Sequence, residues 1–373
     1  MFGKRMMTMT ALALVACLGL VALTVPTHAQ GDKKKVEKKK EVWTDPSDPT
    51  LPADFKFQGE YVRKGVGCQV IALGDGAFQA VLYKEGLPGA GWDGKNKHLM
   101  DGKLEGDKVV FVPATGKRKY LAQSPFEFSA TAKFPPVGQA EYTATITKGF
   151  MTVSGKEGGE TFTLELSKLV HKSDTLGAKP PLGAVVLFDG SSTDEWKGGR
   201  LDKITGFLNT DGSDITTKRK FNNYTAHVEF MLPYRPDARG QGRGNSGFYQ
   251  VDQYEVQILD SFGLEGKDNE CGGVYTRLAP SVNMCLPPLQ WQTYDVDFTN
   301  AVREGDKVVK KARLTLKHNG VVVHDDKEIV GVTGGARALG KKAEEAEGTP
   351  GVLRLQGHGN PLQFKNVWVV EKK

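Results

Sequence analysis

Between Tyr254 and Ile258, within the stretch from Gly244 to Ser261, polar and apolar residues alternate with a period of two. Successive side chains of a β-strand point to opposite faces. Tyr254, Val256 and Ile258 therefore share one face and Glu255 and Gln257 the other. The preceding Gly244–Tyr249 reads as a partner strand, with 250–253 as the turn. A carboxylate and an amide in mid-strand lose their hydration if buried without partners, so the pattern predicts that their face lines an open, solvated trough. One extra residue at Ile258–Leu259 makes a β-bulge, which would turn Asp260 onto the Glu255 side.

The same period recurs along the chain. Tyr224–Met231 places His227 and Glu229 opposite Ala226, Val228 and Phe230, and 291–296 places Trp291, Thr293 and Asp295 opposite Gln292, Tyr294 and Val296. The strands read at Arg313–His318 and Val321–His324 flank Asn319-Gly320, a strong signal for a two-residue hairpin turn, and Gly74-Asp75-Gly76 marks another. Strands are predicted around 57–62, 68–73, 76–83, 108–112, 140–147 and 161–166. Sustained helical periodicity is scarce, and the 45 Gly fit many tight turns. The fold class predicted from this pattern is all-β, with a smaller β-sandwich or barrel ahead of the C-terminal half.

Composition divides the chain further. Residues 1–29 carry Lys4 and Arg5, an apolar run and a small-residue exit at Thr27-His28-Ala29, which predicts an export signal. A membrane anchor is the competing reading of so long an apolar run, and Leu14-Val15-Ala16-Cys17 resembles a lipoprotein acylation box. A periplasmic or extracellular location is expected, with no stable membrane span once the signal is removed. Residues 30–51 read as a Lys-rich disordered linker. Residues 1–41 carry five of the six net positive charges, from Lys4, Arg5 and six Lys set against Asp32, Glu37 and Glu41. The body is close to neutral, so the basic balance gives no reason to expect a nucleic-acid partner. The Pro-Pro and Gly of 173–183 place a linker between an N-terminal domain at 52–172 and a C-terminal domain at 184–373. In the first, Trp92 sits in a Gly-rich loop and reads as a barrel plug or as a sugar-stacking platform.

Near the C-terminus, Arg354, Gln356 and His358 share one strand face, which adds them to the candidate trough. Arg239–Gly244 lacks the Gly-Lys-Ser/Thr ending of a phosphate loop and reads as a mobile rim delivering Arg243. The loop from Val330 to Gly351 reads as one helical turn or as disorder. Cys271 and Cys285 lie close enough in sequence to close one loop as a disulfide in an exported chain, or to remain two thiols. No Cys/His spacing resembles a zinc site, and no cofactor or metal is called for.

The Glu-x-Gln-x-x-Asp spacing resembles the bulged catalytic strand of laminarinase-like glycosidases, with an amide in place of the middle acid. More specifically, the second half resembles the 3-keto-disaccharide hydrolase domain family. The matching segments are 187–190 with Trp196, 245–249, 254–261, 273–275, 291–295, 318–320 and 353–361, in order. The resemblance implies a concanavalin-like jelly roll acting on a sugar whose C3 hydroxyl is already a ketone. The ketone acidifies the C2 proton, so that a base removes it, the C1 aglycone leaves and water adds. Such a reaction needs a base, donors for the enolate oxygen and an acid for the leaving oxygen. Glu255, His358 and Asp260 are the acid–base candidates, with Glu255 the base. Arg243, Arg354, Gln257, Asn245 and Gln356 are candidates for holding hydroxyls or the oxyanion, and Tyr249, Tyr275 and Trp291 for stacking on the ring. A non-catalytic glycan-binding module and a retaining glycosidase, the latter with two carboxylates about 5–5.5 Å apart, are the alternatives.

Overall fold

The structure is a computed structural model that describes residues 41–373, with the backbone alone at 337–339 and 341. The expected export signal, and the Lys-rich run as far as residue 40, lie outside the described residues. Residues 41–51, read from sequence as part of that linker, are ordered. Trp43 is buried, bridges Tyr234 through paired backbone hydrogen bonds, and donates its indole N–H to Thr50 at 3.0 Å. An apolar ring with a satisfied N–H holds this segment where charge density alone predicted disorder.

Lys40–Lys373 form one compact unit. Its first part is a closed eight-stranded barrel of β1 (Gly59–Arg63), β2 (Val66–Gly74), β3 (Ala77–Lys84), β4 (Lys97–Glu105), β5 (Lys108–Pro113), β6 (Thr143–Thr147), β7 (Phe150–Glu157) and β8 (Glu160–Leu169). They close in the order β1-β8-β7-β6-β5-β4-β3-β2. The hairpin predicted at Gly74-Asp75-Gly76 joins β2 to β3, with both central residues at positive φ (49° and 72°). Strands β4 and β7 were not singled out from sequence; each carries a glycine on its inward face, Gly102 under the Phe111 ring and Gly155 under Tyr142, which breaks the apolar alternation.

The second part is a two-layer sandwich. Its larger sheet contains β9 (Val185–Phe188), β11 (Arg200–Leu201), β12 (Leu208–Asn209), β14 (Tyr224–Met231), β17 (Trp291–Thr299), β18 (Ala312–His318), β19 (Val321–Ile329) and β21 (Gln363–Glu371). The smaller contains β10 (Trp196–Lys197), β13 (Ile215–Thr217), β15 (Ser246–Gln250), β16 (Tyr254–Ile258) and β20 (Arg354–Leu355). The larger runs β11-β12-β21-β14-β17-β18-β19 with β9 also paired to β21; the smaller runs β10-β13-β20-β15-β16. Alternation sets the core: Ala226, Val228, Phe230, Tyr294, Val296 and Phe298 face Phe248, Tyr254, Val256 and Ile258. Asn319 and Gly320 make the predicted tight turn between β18 and β19 at φ 52° and 85°.

The barrel and the sandwich share a core. Inward residues of β2 and β3 fill the barrel, while Ile71, Leu73, Val81 and Tyr83 on their outer faces belong to the same apolar cluster as the sandwich interior. These strands are buried on both faces almost throughout. Each such side chain contributes about 1.5–3 kcal/mol on burial, so the two β-layers are held together by packing rather than by a tether. The Pro/Gly segment is pinned too. The Thr175 hydroxyl donates to Asp295 at 2.6 Å and the Gly177 N–H to Glu229 at 2.6 Å, over a buried His227 that pairs with Asp295 at 2.7 Å. Among the described residues no helix is long and apolar enough to cross a membrane.

Candidate active site

On the outer face of the smaller sheet, register assembles the site. Glu255 lies opposite Tyr249, and Tyr249 opposite Arg354, so the three make a row across β16, β15 and β20. In the next row Gln257 lies opposite Gly247, and Gln356 donates its backbone N–H to the Gly247 carbonyl at 2.9 Å. A glycine between two amides leaves a hollow. It also admits the acid, since a Cβ on Gly247 would stand 2.4 Å from Glu255 Oε1.

Four further segments wall this hollow into a pocket of about 220 Å³. Strand β16 is the edge of its sheet, and two loops pair with it. The Tyr275 N–H donates to the Glu255 carbonyl at 3.0 Å, and the Glu255 N–H donates to the Thr333 hydroxyl at 2.6 Å. The first loop presents the Tyr275 ring and the second lays Gly334-Gly335 over the carboxylate. Gly334 has φ 54°, and a Cβ there would meet Glu255 Oε2 at 1.8 Å, so only glycine fits. Gln241 and Asn245 come from the segment before β15, and Gln356 and His358 from the end of β20. His358 is exposed at the mouth and takes the left-handed conformation at φ 43°, a sparsely occupied state for a non-glycine residue. Asp214 holds that turn by accepting the Gly357 N–H at 3.0 Å.

Glu255 is 3% exposed, not solvated as its polar face predicted. Partners offset the lost hydration. Tyr249 donates its hydroxyl to the carboxylate, while its oxygen accepts the Gly335 N–H at 2.8 Å. The Gln257 amide lies 2.8 Å from the Ser246 carbonyl and 3.1 Å from Glu255 Oε1. A backbone carbonyl only accepts, so the amide NH₂ faces that side and also donates to Glu255. Burial nevertheless wins and pushes the Glu255 carboxyl up to about 7, against the Tyr249 hydrogen bond and the Arg354 charge, which lower it. Arg354 stacks on the Tyr249 ring with its guanidinium carbon 3.8 Å from the centroid, and is held by Asp214 at 3.0 Å and Asp252 at 2.8 Å. Burial also raises the Tyr275 hydroxyl, with Glu255 and Asp268 adding to it.

Of the residues singled out from sequence, Glu255, Gln257, Asn245, Tyr275, Gln356 and His358 meet in this pocket. Tyr249 and Arg354 lie beneath and beside it; Tyr249 is fully buried and hydrogen-bonds the acid instead of stacking on a ligand. Three residues are elsewhere. Strand β16 ends at Ile258 without a bulge, and Asp260 is buried in an ion pair with Arg243 at 2.5 Å. Arg243, read as a groove residue, reaches across to the barrel and donates to the Ala72 carbonyl at 3.1 Å. The stretch read as a mobile rim is likewise an anchor, because Arg239 donates to the Leu73 carbonyl at 2.7 Å. Trp291 lies on the outer face of the larger sheet, edge-on to Phe207 at 4.8 Å and under Lys365 at 4.2 Å.

Cys271 and Cys285 are buried free thiols rather than a disulfide. Cys271 Sγ meets the Tyr294 hydroxyl at 3.1 Å, and the loop is fixed by backbone bonds such as Gly272 N–H to the Gln257 carbonyl at 3.0 Å. Trp92 sits between barrel and sandwich, edge-on to Tyr83 at 5.2 Å with Lys97 at 4.9 Å from its ring. Residues 334–339 and 341–346 form short helices in the loop read as one turn or disorder. Gln241, Gly334 and Gly335 were missed. The only sequence signal was the Gly-Gly pair following Thr333, in a stretch with no period. Among the described residues no group of three or more His, Cys, Asp or Glu is arranged to hold a metal ion.

A family profile described as the 3-keto-alpha-glucoside-1,2-lyase-like domain matches residues 183–370. The chain belongs to this family. The match covers the whole sandwich and its pocket, and leaves the barrel outside it. The chain is similar to three solved proteins of Parabacteroides distasonis ATCC 8503, each described as a putative glycosyl hydrolase. The first shares 28% identity over 52% of this chain and 85% of its own, with a TM-score of 0.45. The other two share 20% and 18% identity over 51% of this chain and 95% and 99% of theirs, with TM-scores of 0.35 and 0.36. No curated protein matches the chain.

Proposed function

We propose that the pocket cleaves glycosides of 3-keto sugars, with Glu255 as the base that removes the C2 proton. The observation that supports this most is a single carboxyl, enclosed between Gly247 and Gly334, whose burial pushes it up to about 7. A base poised there is half ionised at neutral pH and strong enough to take a proton made acidic by a neighbouring ketone. Deprotonation sends the C2–H electrons toward the C3 oxygen, and the pocket amides and the Tyr275 hydroxyl supply donors to that enolate. The enolate then expels the C1 oxygen, forming the C1=C2 bond, and His358 at the mouth supplies the proton to the departing aglycone. Water adding at C1, with a proton returned to C2, completes net hydrolysis.

A retaining glycosidase needs a second carboxylate beside the first. Glu255 is the one carboxylate among the described pocket-lining residues, and Asp214 and Asp252 are both committed to Arg354. A binding module has no use for a base raised to neutrality. The reading includes export to the periplasm or outside the cell, where a signal at 1–29 would send it. The test is aglycone release from a 3-keto-glucoside by the parent protein and by Glu255→Gln. Loss of at least about a thousandfold supports the assignment, and unchanged turnover refutes it.

A further inference from the structure

The barrel is filled at one end and hollow at the other. Toward the β2–β3 turn, Phe57 and Phe78 pack edge to face at 6.2 Å, with Tyr61 and Phe111 beyond them. At the opposite end, marked by Gly65 between β1 and β2 and by Gly158 between β7 and β8, a cavity of about 880 Å³ opens. An eight-stranded barrel has an interior that side chains just fill, or that holds one small ligand. Here Gly65, Gly138 and Ala140 stand on the lip, where larger apolar side chains would have plugged it.

Much of the wall is apolar and aromatic, with Asn96 and Thr161 adding uncharged polar groups. Val66, Leu82, Phe162 and Leu164 line it, and Val66, Phe162 and Leu164 are only partly buried although they lie on the inward face of their strands. The Tyr142 ring lies 4.6 Å from the His98 ring and edge-on to Phe162 at 5.1 Å. It is seated on Gly155, where a Cβ would stand 2.3 Å from Tyr142 Cδ1. His98 Nδ1 is enclosed and has no hydrogen-bond partner. At the rim Lys84 pairs with Glu157 at 3.7 Å, and Lys156 is matched by Glu160, so the mouth carries no net charge to attract an ion.

We propose that the open end of the barrel is a binding site for a neutral aromatic molecule, its ring held edge-to-face by Tyr142 and Phe162 and one polar atom paired with His98 Nδ1. The volume suits a ligand of drug-like size, offset and T-shaped contacts are the preferred geometry for such rings, and a balanced rim selects against charged ligands. The site lies outside the sandwich and does not rest on the reaction proposed above.

The test uses N-phenyl-1-naphthylamine, a neutral fluorophore that brightens in apolar surroundings, titrated into the full chain. A saturable one-to-one enhancement is expected, lost on Ala140→Trp, weakened about tenfold by Phe162→Ala and unchanged in Glu255→Gln. The absence of a saturable enhancement in the parent protein overturns the proposal, as does parent-like binding by an Ala140→Trp protein that melts cooperatively. If that variant does not fold, Leu164→Glu, at a half-exposed wall position, is read in its place with the same two outcomes.

Discussion

Replacing Glu255 by Gln is expected to abolish turnover and, at the same time, to stabilise the protein in a pH-dependent way. The folded state raises this carboxyl from 4.5 to about 7. A carboxyl raised on folding binds its proton more tightly in the native state, so folding loses stability as pH climbs from below 4.5 to above 7. At about 1.36 kcal/mol per pH unit of displacement, the ionised side chain costs the native state about 3 kcal/mol at pH 8 and almost nothing at pH 4. Gln keeps the shape and carries no charge. Paired urea unfolding of parent and variant at the two pH values singles out this group, because carboxyls remote from position 255 titrate alike in both proteins. The variant is expected to gain about 3 kcal/mol at pH 8 and to match the parent at pH 4. A variant no more stable than the parent at pH 8 would refute the claim that burial governs this acid.

Tyr249→Phe removes a hydrogen bond that lowers the Glu255 carboxyl, so the pH at which kcat/KM is half-maximal is expected to move upward from about 7; a downward move or none in the pH–rate profile contradicts the assignment. Gly334→Ala puts a methyl where Glu255 Oε2 stands, 1.8 Å away and at positive φ, and is expected to cut kcat about a hundredfold or more while circular dichroism still reports a folded protein. Arg243→Leu strands Asp260 as a buried unpaired charge and is expected to cost about 3–5 kcal/mol of stability by urea titration, yet to leave KM within about twofold at low temperature, since neither residue lines the pocket.

What was legible in the sequence was local. Alternation from Tyr254 to Ile258 placed Glu255 and Gln257 on the face away from the core, and the turn chemistry of Asp75-Gly76 and Asn319-Gly320 located two hairpins, because strand period and turn conformation are set by neighbouring residues. Period two says nothing about which sheet a face belongs to, so Trp291, although correctly phased, lies on the far side of the sandwich from the acid. Asp260 and Arg243 were misplaced because their partners, each other and the Ala72 carbonyl, become neighbours only when the barrel packs on the sandwich. Burial of Glu255 depends on Gly334, about eighty residues along the chain in a loop without pattern. That contact turns a polar strand face into an enclosed base.

The most direct test of the central claim is the fate of the C2 proton. With a 3-keto-glucoside and its unoxidised parent incubated side by side in D₂O and followed by NMR, the mechanism predicts cleavage of the keto sugar alone, with deuterium at C2 of the 3-keto-glucose released. Cleavage of the unoxidised glucoside, or of the keto sugar with its C2 proton retained, would contradict it.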